Sequence, residues 1–338
     1  MPDAITYILP IRSAVSQAQG ELTPYLRHLA TVAEVIVVDG SAPAVFAAHG
    51  AAWGDVVRHL APAPDLATPM GKVGGVLTGL RHASHEWIVI ADDDVRYDDA
   101  TLRRVGNALA HADVVRPQNW FHPLPWHARW DTGRMLLNRV AGGDWPGTLG
   151  VRRARLRCTG GYDGRAMFEN LELVRTVVAT GGREAVLLDA FVERRPSTTR
   201  HFWSQRVRQA YDEFARPARL LFQLAWLPVM IFTTARWGWR APLVLAVLVA
   251  GVAEGGRRRA SGRQRFPASA AALAPAWVLE RAVCSWLALL SRLLFGGVRY
   301  RGVTLRHAAT PLRTLRARLA PVQAPASLPA RAARRRSA

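Results

Sequence analysis

The chain has 338 residues, half of them apolar, with 45 Lys+Arg against 25 Asp+Glu and only two cysteines. That suits one sizeable α/β domain with an appendage, and it excludes both a disulfide scaffold built on Cys158 and Cys284 and wholesale disorder. The net charge of +20 is lopsided: residues 1–217 hold 25 basic and 23 acidic side chains, whereas residues 218–338 hold 20 basic ones against Glu254 and Glu280.

An apolar tail flanked by arginine reads as membrane attachment rather than as a nucleic-acid surface. No nucleic-acid partner is expected, since the arginines flank apolar segments and lack interleaved stacking aromatics beyond Tyr300. Lys72 is the only lysine in the chain. The stretch Met1–Pro10 lacks the basic and apolar regions of a signal peptide, so the N-terminal domain is expected in the cytoplasm.

Short apolar runs alternate with helical spacing over the first 217 residues, which predicts a largely parallel sheet covered by helices. Strands are expected at Ala4–Leu9, Glu34–Asp39, Trp87–Ala91, Asp113–Arg116 and Ala185–Asp189. Helices are expected at Ser13–Ala30, with Pro24 interrupting it, and at Met70–Ser84, Ala100–Ala110, Met167–Thr180 and His201–Ala215. Tryptophan and proline crowd Asn119–Gly147, including Trp120, Trp126, Trp130 and Trp145, and this stretch reads as a long irregular insertion.

Beyond Pro217 come two uncharged runs, Leu220–Ala235 and Ala241–Ala253. They predict a short two-helix membrane hairpin or a re-entrant pair, with Trp237, Trp239, Arg236 and Arg240 as flanking anchors. A basic loop with Arg257–Arg259, Arg263 and Arg265 follows. Then Ala274–Phe295, interrupted by Glu280, Arg281 and Arg292, reads as an interfacial amphipathic helix. Two spans keep the basic loop and the arginine-rich end on the cytoplasmic side. Residues 320–338 read as disordered and suited to anionic lipid.

The strongest chemical signal is Ile88-Val-Ile-Ala-Asp92-Asp93-Asp94. An apolar strand ends in three carboxylates at the edge where open α/β sheets bind ligands. Adjacent carboxylates repel unless a cation sits among them. Asp92 and Asp94, two apart, are placed to hold Mg²⁺ or Mn²⁺ while a diphosphate fills the remaining positions. Upstream, Val35-Ile-Val-Val-Asp39-Gly40-Ser41 is another strand ending in an acid. Met70-Gly71-Lys72-Val73-Gly74-Gly75 opens a helix whose glycines admit a phosphate and whose lysine supplies charge. The ten histidines show no metal cluster in the sequence, His82 and His85 sit near a helix end, and Cys158 has no evident base.

The order of these motifs resembles the family 2 glycosyltransferases of GT-A fold, in their ceramide-glucosyltransferase-like membrane branch. The marks are VVDGS at 37–41, GKVGGVLTGL at 71–80, Asp92-x-Asp94, Trp145-Pro-Gly147-Thr, Phe168-Glu169-Asn170-Leu-Glu172, Gln205-Arg-Val-Arg208-Gln209 and Val298-Arg-Tyr-Arg301-Gly302. The resemblance implies an α/β fold with a Rossmann-like mixed sheet and C-terminal membrane helices. Its domains would be a catalytic unit at 1–217, a membrane hairpin at 218–256, a basic loop with an interfacial helix at 257–298, and a basic cytoplasmic tail at 299–338.

It further implies a donor site of Pro10, Asp39, Gly71, Lys72, Gly75, Asp92, Asp93, Gln205 and Arg208, with metal at Asp92 and Asp94. Trp145, Gly147 and Trp203 would meet the acceptor. Two positions depart from the family pattern. Asn170 stands where an aspartate base is usual, which leaves Glu169 or Glu172 for that role, and Gln209 replaces a tryptophan.

The expected activity is inverting, metal-dependent transfer of a sugar from a nucleotide-sugar, UDP-linked by preference, to a membrane lipid hydroxyl at the cytoplasmic face of the cell membrane. A polyprenyl-phosphate acceptor would need no base and so fits Asn170. An inactive membrane-bound sugar-nucleotide-binding protein is the third reading.

Overall fold

The computed structural model describes residues 5–300 and 302–320. Ala4 of the first expected strand, Arg301 of the closing motif and residues 321–338 of the tail lie outside the described residues. Ten strands form: β1 Ile5–Ile11, β2 Glu34–Asp39, β3 Arg58–Leu60, β4 Trp87–Ala91, β5 Val95–Arg96, β6 Val114–Phe121, β7 Thr148–Arg152, β8 Glu184–Arg194, β9 Val298–Tyr300 and β10 Val303–Leu305.

Helices α1 Leu22–Leu29, α2 Pro43–Trp53, α3 Gly71–His82, α4 Asp99–Leu109, α5 Trp126–Val140, α6 Arg153–Cys158 and α7 Glu169–Ala179 accompany the large sheet. The chain continues through α8 Thr199–Tyr211, α9 Pro217–Trp237, α10 Arg240–Arg258, α11 Ala268–Ala272, α12 Ala274–Phe295 and α13 Leu312–Leu319.

The large sheet has the order β3-β2-β1-β4-β7-β6-β8-β5. It is mixed rather than largely parallel. The strand β7 runs antiparallel between β4 and β6, and β5 is antiparallel to β8, while β3, β2, β1 and β4 are mutually parallel. Alternation along the pleat sorts the apolar side chains into two cores. Ile8, Ile36, Val38, Ile88 and Ile90 pack on α3 and α7, whereas Tyr7, Leu9, Val35, Val37 and Val89 pack on α1 and α4.

Two expectations are corrected here. The stretch Asn119–Gly147 is not an irregular insertion: it holds the end of β6 and the 15-residue helix α5. The helix expected over Ser13–Ala30 forms only at Leu22–Leu29.

The C-terminal helices dock on the sheet domain through α5 and α8. Gly256 of α10 is buried so closely on Leu136 of α5 that an added Cβ would lie 1.9 Å from the Leu136 carbonyl oxygen. Arg139 of α5 donates to the Gly256 oxygen at 3.0 Å, and Arg219 of α9 donates to Asn138 at 2.7 Å. Arg206 of α8, buried, bridges Asp131 of α5 and Glu280 of α12. Only α9 among the described helices is long and apolar enough to cross a membrane, and 11% of its apolar window is buried. The shorter, less apolar α10 does not meet that measure.

Candidate active site

The strands β2 and β4 both run parallel to β1 and flank it on opposite sides. The chain runs from β1 out to β2 and β3 on one side and returns to β4 on the other, and the crevice at the carboxyl ends where the order reverses is the usual ligand position of such sheets. Asp39 and Asp92–Asp94 follow β2 and β4 at that edge.

Asp39 is buried and committed. Its Oδ1 accepts the Ser41 N–H at 2.9 Å, and its Oδ2 meets His49 Nδ1 at 2.6 Å and His59 Nε2 at 3.2 Å. The Nε2 of His49 accepts the Gln17 N–H at 2.9 Å, which puts the imidazole proton on Nδ1. Burial raises the Asp39 pKa, but the hydrogen bonds from Ser41, His49 and His59 outweigh it and hold the carboxyl below its ordinary range.

Asp39, His49 and His59 bring ligand atoms within 4.8 Å of one another, a cluster the sequence reading missed. The contacts arise only when α2 and β3 fold back on β2. With Nδ1 of His49 protonated and Nε2 accepting, neither ring nitrogen is free for an ion, so the trio acts as a buttress for Asp39.

The glycines of α3 are seats. A Cβ at Gly75 would lie 2.9 Å from Pro10 Cβ, and one at Gly79 would lie 2.5 Å from Ile8. Their absence lets α3 lie on β1. Gly71 faces open space, while the Val73 N–H goes to the Met70 oxygen at 2.8 Å and the Gly74 N–H to Thr68 Oγ1 at 3.2 Å. That leaves the Gly71 and Lys72 N–H groups of the first turn for an anion.

Lys72 reaches from α3 to Asp92 Oδ1 at 2.6 Å and to Glu169 Oε1 at 2.8 Å. Burial lowers its pKa, but Asp92 and Glu169 more than compensate and hold the ammonium charged. Asp92–Asp94 form a turn rather than a continued strand. Arg194, at the end of β8, donates through Nε to Asp94 Oδ2 at 2.9 Å and lies 3.6 Å from Asp92 Oδ2. Sequence reasoning missed Arg194, because the expected strand stopped at Asp189. Asp93 is exposed.

Gly147 makes this approach possible: a Cβ there would be 2.7 Å from Asp92 Oδ2 and 3.2 Å from Arg194 Cζ. Its N–H is held by Asn119 Oδ1 at 2.7 Å, and its oxygen accepts the Asp92 N–H at 2.8 Å.

The residues fit a divalent cation. Asp94 Oδ1 is buried without a hydrogen-bond partner. Burial raises Asp94 to about 6; Arg194 opposes this, while Asp92 and Asp93 push it further up. Clustered carboxylates with an orphaned oxygen are the donor set a hard cation takes. Lys72 and Arg194 partly neutralise the same cluster.

The two candidate bases separate. Glu169 joins the Lys72–Asp92 group. Glu172 is wholly buried away from it, and its Oε2 accepts the Thr310 N–H at 2.6 Å. It secures the C-terminal segment and is not presented to the edge. Asn170 donates to the Pro146 oxygen at 2.9 Å, fixing the loop before Gly147.

Trp145 packs edge-on to Phe168 and under Arg116. Trp203 is exposed beside Trp126 and Trp130. Arg208 lies over Tyr300 of the closing motif, 5.0 Å from the ring centre, and the Gln205 Oε1 is buried without a partner. Gln209 accepts from Arg206 at 3.0 Å, a role the tryptophan of the family pattern could not fill.

No family model matches the chain, and no curated protein matches it. Solved structures do. A mannosyltransferase from Pyrobaculum calidifontis, PcManGT, solved with GDP-Man and Mn²⁺, is 18% identical and aligns over 87% of this chain and 88% of its own, with a TM-score of 0.53. A mannosyl-3-phosphoglycerate synthase from Rubrobacter xylanophilus is 14% identical over 61% of this chain and 71% of its own, TM-score 0.42. TarS 1–349 of S. aureus, solved with UDP-GlcNAc, is 15% identical over 60% and 61%, TM-score 0.41. The likeness to the mannosyltransferase, over nearly the whole of both chains, gives this chain the GT-A-like mixed α/β fold.

Proposed function

We propose that the chain is an inverting glycosyltransferase that moves a sugar from a nucleoside-diphosphate donor to a membrane lipid, at the cytoplasmic face of the cell membrane. The observation that carries this reading is the convergence of Lys72, Asp92, Asp94, Glu169 and Arg194 on one crevice at the carboxyl ends of parallel strands, with Asp39 ending β2 at the same edge. The orphaned Asp94 oxygen and the first two N–H groups of α3 supply a cation site and an anion site at that crevice.

Asp39 takes the nucleoside end of the donor, with Pro10 and Gly75 setting the floor beneath it. Lys72, Arg194 and the first N–H groups of α3 hold the diphosphate, with Gln205 and Arg208 beside it. Asp92 and Asp94 would hold Mg²⁺ or Mn²⁺, which when bound stabilises the negative charge of the departing diphosphate. Trp145, Gly147 and Trp203 are the acceptor-side residues, and Glu169 is the carboxylate placed to accept a hydroxyl proton. In-line attack on the anomeric carbon inverts it.

The test is divalent-ion-dependent release of nucleoside diphosphate from a panel of UDP- and GDP-sugars, with the full-length protein in bilayers of bacterial lipid. Asp94→Asn should lower release by about 10²-fold or more, and Lys72→Met should raise the donor KM. Absence of donor binding across the panel overturns the reading.

A further inference from the structure

Between α9, α10 and α12 lies an apolar cavity of about 420 Å³, walled by Phe222, Trp226, Leu248 and Trp277. Its inner end is polar, with Asn138, Arg219 and Arg281, and the same three residues line a second cavity of about 140 Å³. That second cavity passes Trp145 and Phe168 to reach Arg194, the partner of Asp94. An apolar groove thus leads through arginines to the edge where the donor is proposed to sit.

The smaller cavity is lined by five arginines against two acids, Asp212 and Glu213. Arg134 is paired with Asp131 and Asp144, Arg194 with Asp92 and Asp94, and Arg216 and Arg219 share Glu213. Arg281 has no such partner. It is 2% exposed, forms no ion pair among the described residues, and its Nε lacks any hydrogen-bond partner. Its terminal nitrogens reach only the Arg206 oxygen and Gln209 Oε1, both at 3.5 Å.

Burial and the neighbouring Arg206 push Arg281 down to about 10, and the opposing pull of Glu280, Glu213 and Asp131 does not make this good. A buried guanidinium with no ion pair of its own, held only by long hydrogen bonds and the Trp277 ring 5.2 Å away, is under-compensated, and an anion entering this cavity would supply the missing partner. The Nε of Arg216, on the same wall, is also unpartnered.

We propose that the two cavities bind a lipid phosphate monoester, with its chain in the 420 Å³ groove and its phosphate held by Arg281, Arg219 and Arg216. That this lipid is the acceptor rests on the transferase reading above, with a phosphate oxygen as the attacking group in place of a hydroxyl and with Glu169 then left to its bond with Lys72. In the transfer, a phosphate oxygen attacks the anomeric carbon. The bond from that carbon to the nucleoside diphosphate breaks, and its electron pair leaves with the diphosphate. The products are a glycosyl lipid phosphodiester and a nucleoside diphosphate. An ionised phosphate oxygen carries no proton to remove, so the chain needs no aspartate at position 170, where Asn170 instead ties down Pro146.

Native mass spectrometry of the full-length protein in nonionic detergent, titrated with farnesyl phosphate or farnesol, tests the site. The phosphate should bind at least tenfold more tightly, and Arg281→Gln and Arg219→Gln should each abolish that preference. Equal binding of the two lipids by the unmodified protein overturns the inference, whatever the variants do, and so does a preference that survives in both variants with folded circular dichroism spectra. A protein that selects farnesyl phosphate but binds no nucleotide-sugar refutes the transferase and keeps the lipid phosphate site. One that turns over donors but binds both lipids alike keeps the transferase and refutes the site.

Discussion

Asp212 shows how burial sets chemistry at a single position near the site. It lines the arginine cavity, and its Oδ1 is buried without a partner. Burial raises its pKa to about 7; Arg208 opposes the shift, while Glu169 and Glu213 reinforce it. The folded protein therefore holds this proton more tightly than the unfolded chain does. Its contribution to stability is fully present below the ordinary aspartate value and is lost as pH rises through about 7. The Tm of the unmodified protein should fall between pH 5 and pH 8 relative to Asp212→Asn, which lacks the titration. Parallel pH profiles for the two proteins would show that Asp212 does not hold its proton. This position was invisible in the sequence, where Asp212 sits in an ordinary polar run. Only the packing of the segment after α8 against the arginines gives it a cost. Lys72 is the contrasting case: as the only lysine, beside glycines at a helix start, it could be singled out at once. Its partner Glu169 lies 97 residues away, and that contact came from the fold.

At the scale of elements, legibility followed periodicity. The strands β1, β2 and β4 are apolar runs ending in polar turns, and they stand where the pattern puts them. Helix α5 was hidden because the face it buries is largely polar: Asp131, Thr132, Asn138 and Arg139 are all buried. Hydrophobic spacing cannot reveal a helix whose inner face is an ion-pair network. The strand β7, with Gly150 breaking its apolar run, does not register as a strand, and α2 is rich in alanine without amphipathic contrast. The same helix α5 fixes the C-terminal helices to the sheet domain, and the contact at Gly256 leaves no room for a side chain. Gly256→Ala would force α10 away from the Leu136 carbonyl, and it should destabilise the protein by about 1–3 kcal/mol. Gly255→Ala, one residue earlier, meets nothing within 4 Å and replaces glycine in a helix, so it should leave Tm unchanged or raise it. Thermal melts of the two variants in the same detergent check this. Equal effects would mean that α10 does not seat on α5 as described.

At the scale of the molecule, the question is what covers the apolar surface of the C-terminal helices. The N-terminal end of α9 and the C-terminal end of α10 are both tied to the sheet domain, and the turn at Gly238 between Trp237 and Trp239 lies at the free end. Ile231, Phe232, Trp237, Trp239, Leu243, Val247, Leu293, Leu294 and Phe295 are all exposed. A surface of this kind is not normally left to water. With 21 residues, α9 is about 31 Å long, close to the thickness of a bilayer core. Arg236 and Arg240 flank that free end, and a larger basic group lies at the other end of the hairpin, where Arg257, Arg258 and Arg263 gather around Glu254. For the membrane attachment proposed above, two forces compete, apolar insertion and attraction of arginine to anionic headgroups. They differ in their response to salt. At 1 M the screening length is about 3 Å, which removes surface attraction and leaves apolar burial intact. The full-length protein should float with vesicles of mixed neutral and anionic lipid, and it should stay with them in 1 M NaCl. Ile231→Glu combined with Phe232→Glu should reduce the floating fraction at both salt concentrations, since each charge would be carried into hydrocarbon. Release of the unmodified protein by salt alone would assign attachment to the arginines and leave the hairpin at the surface.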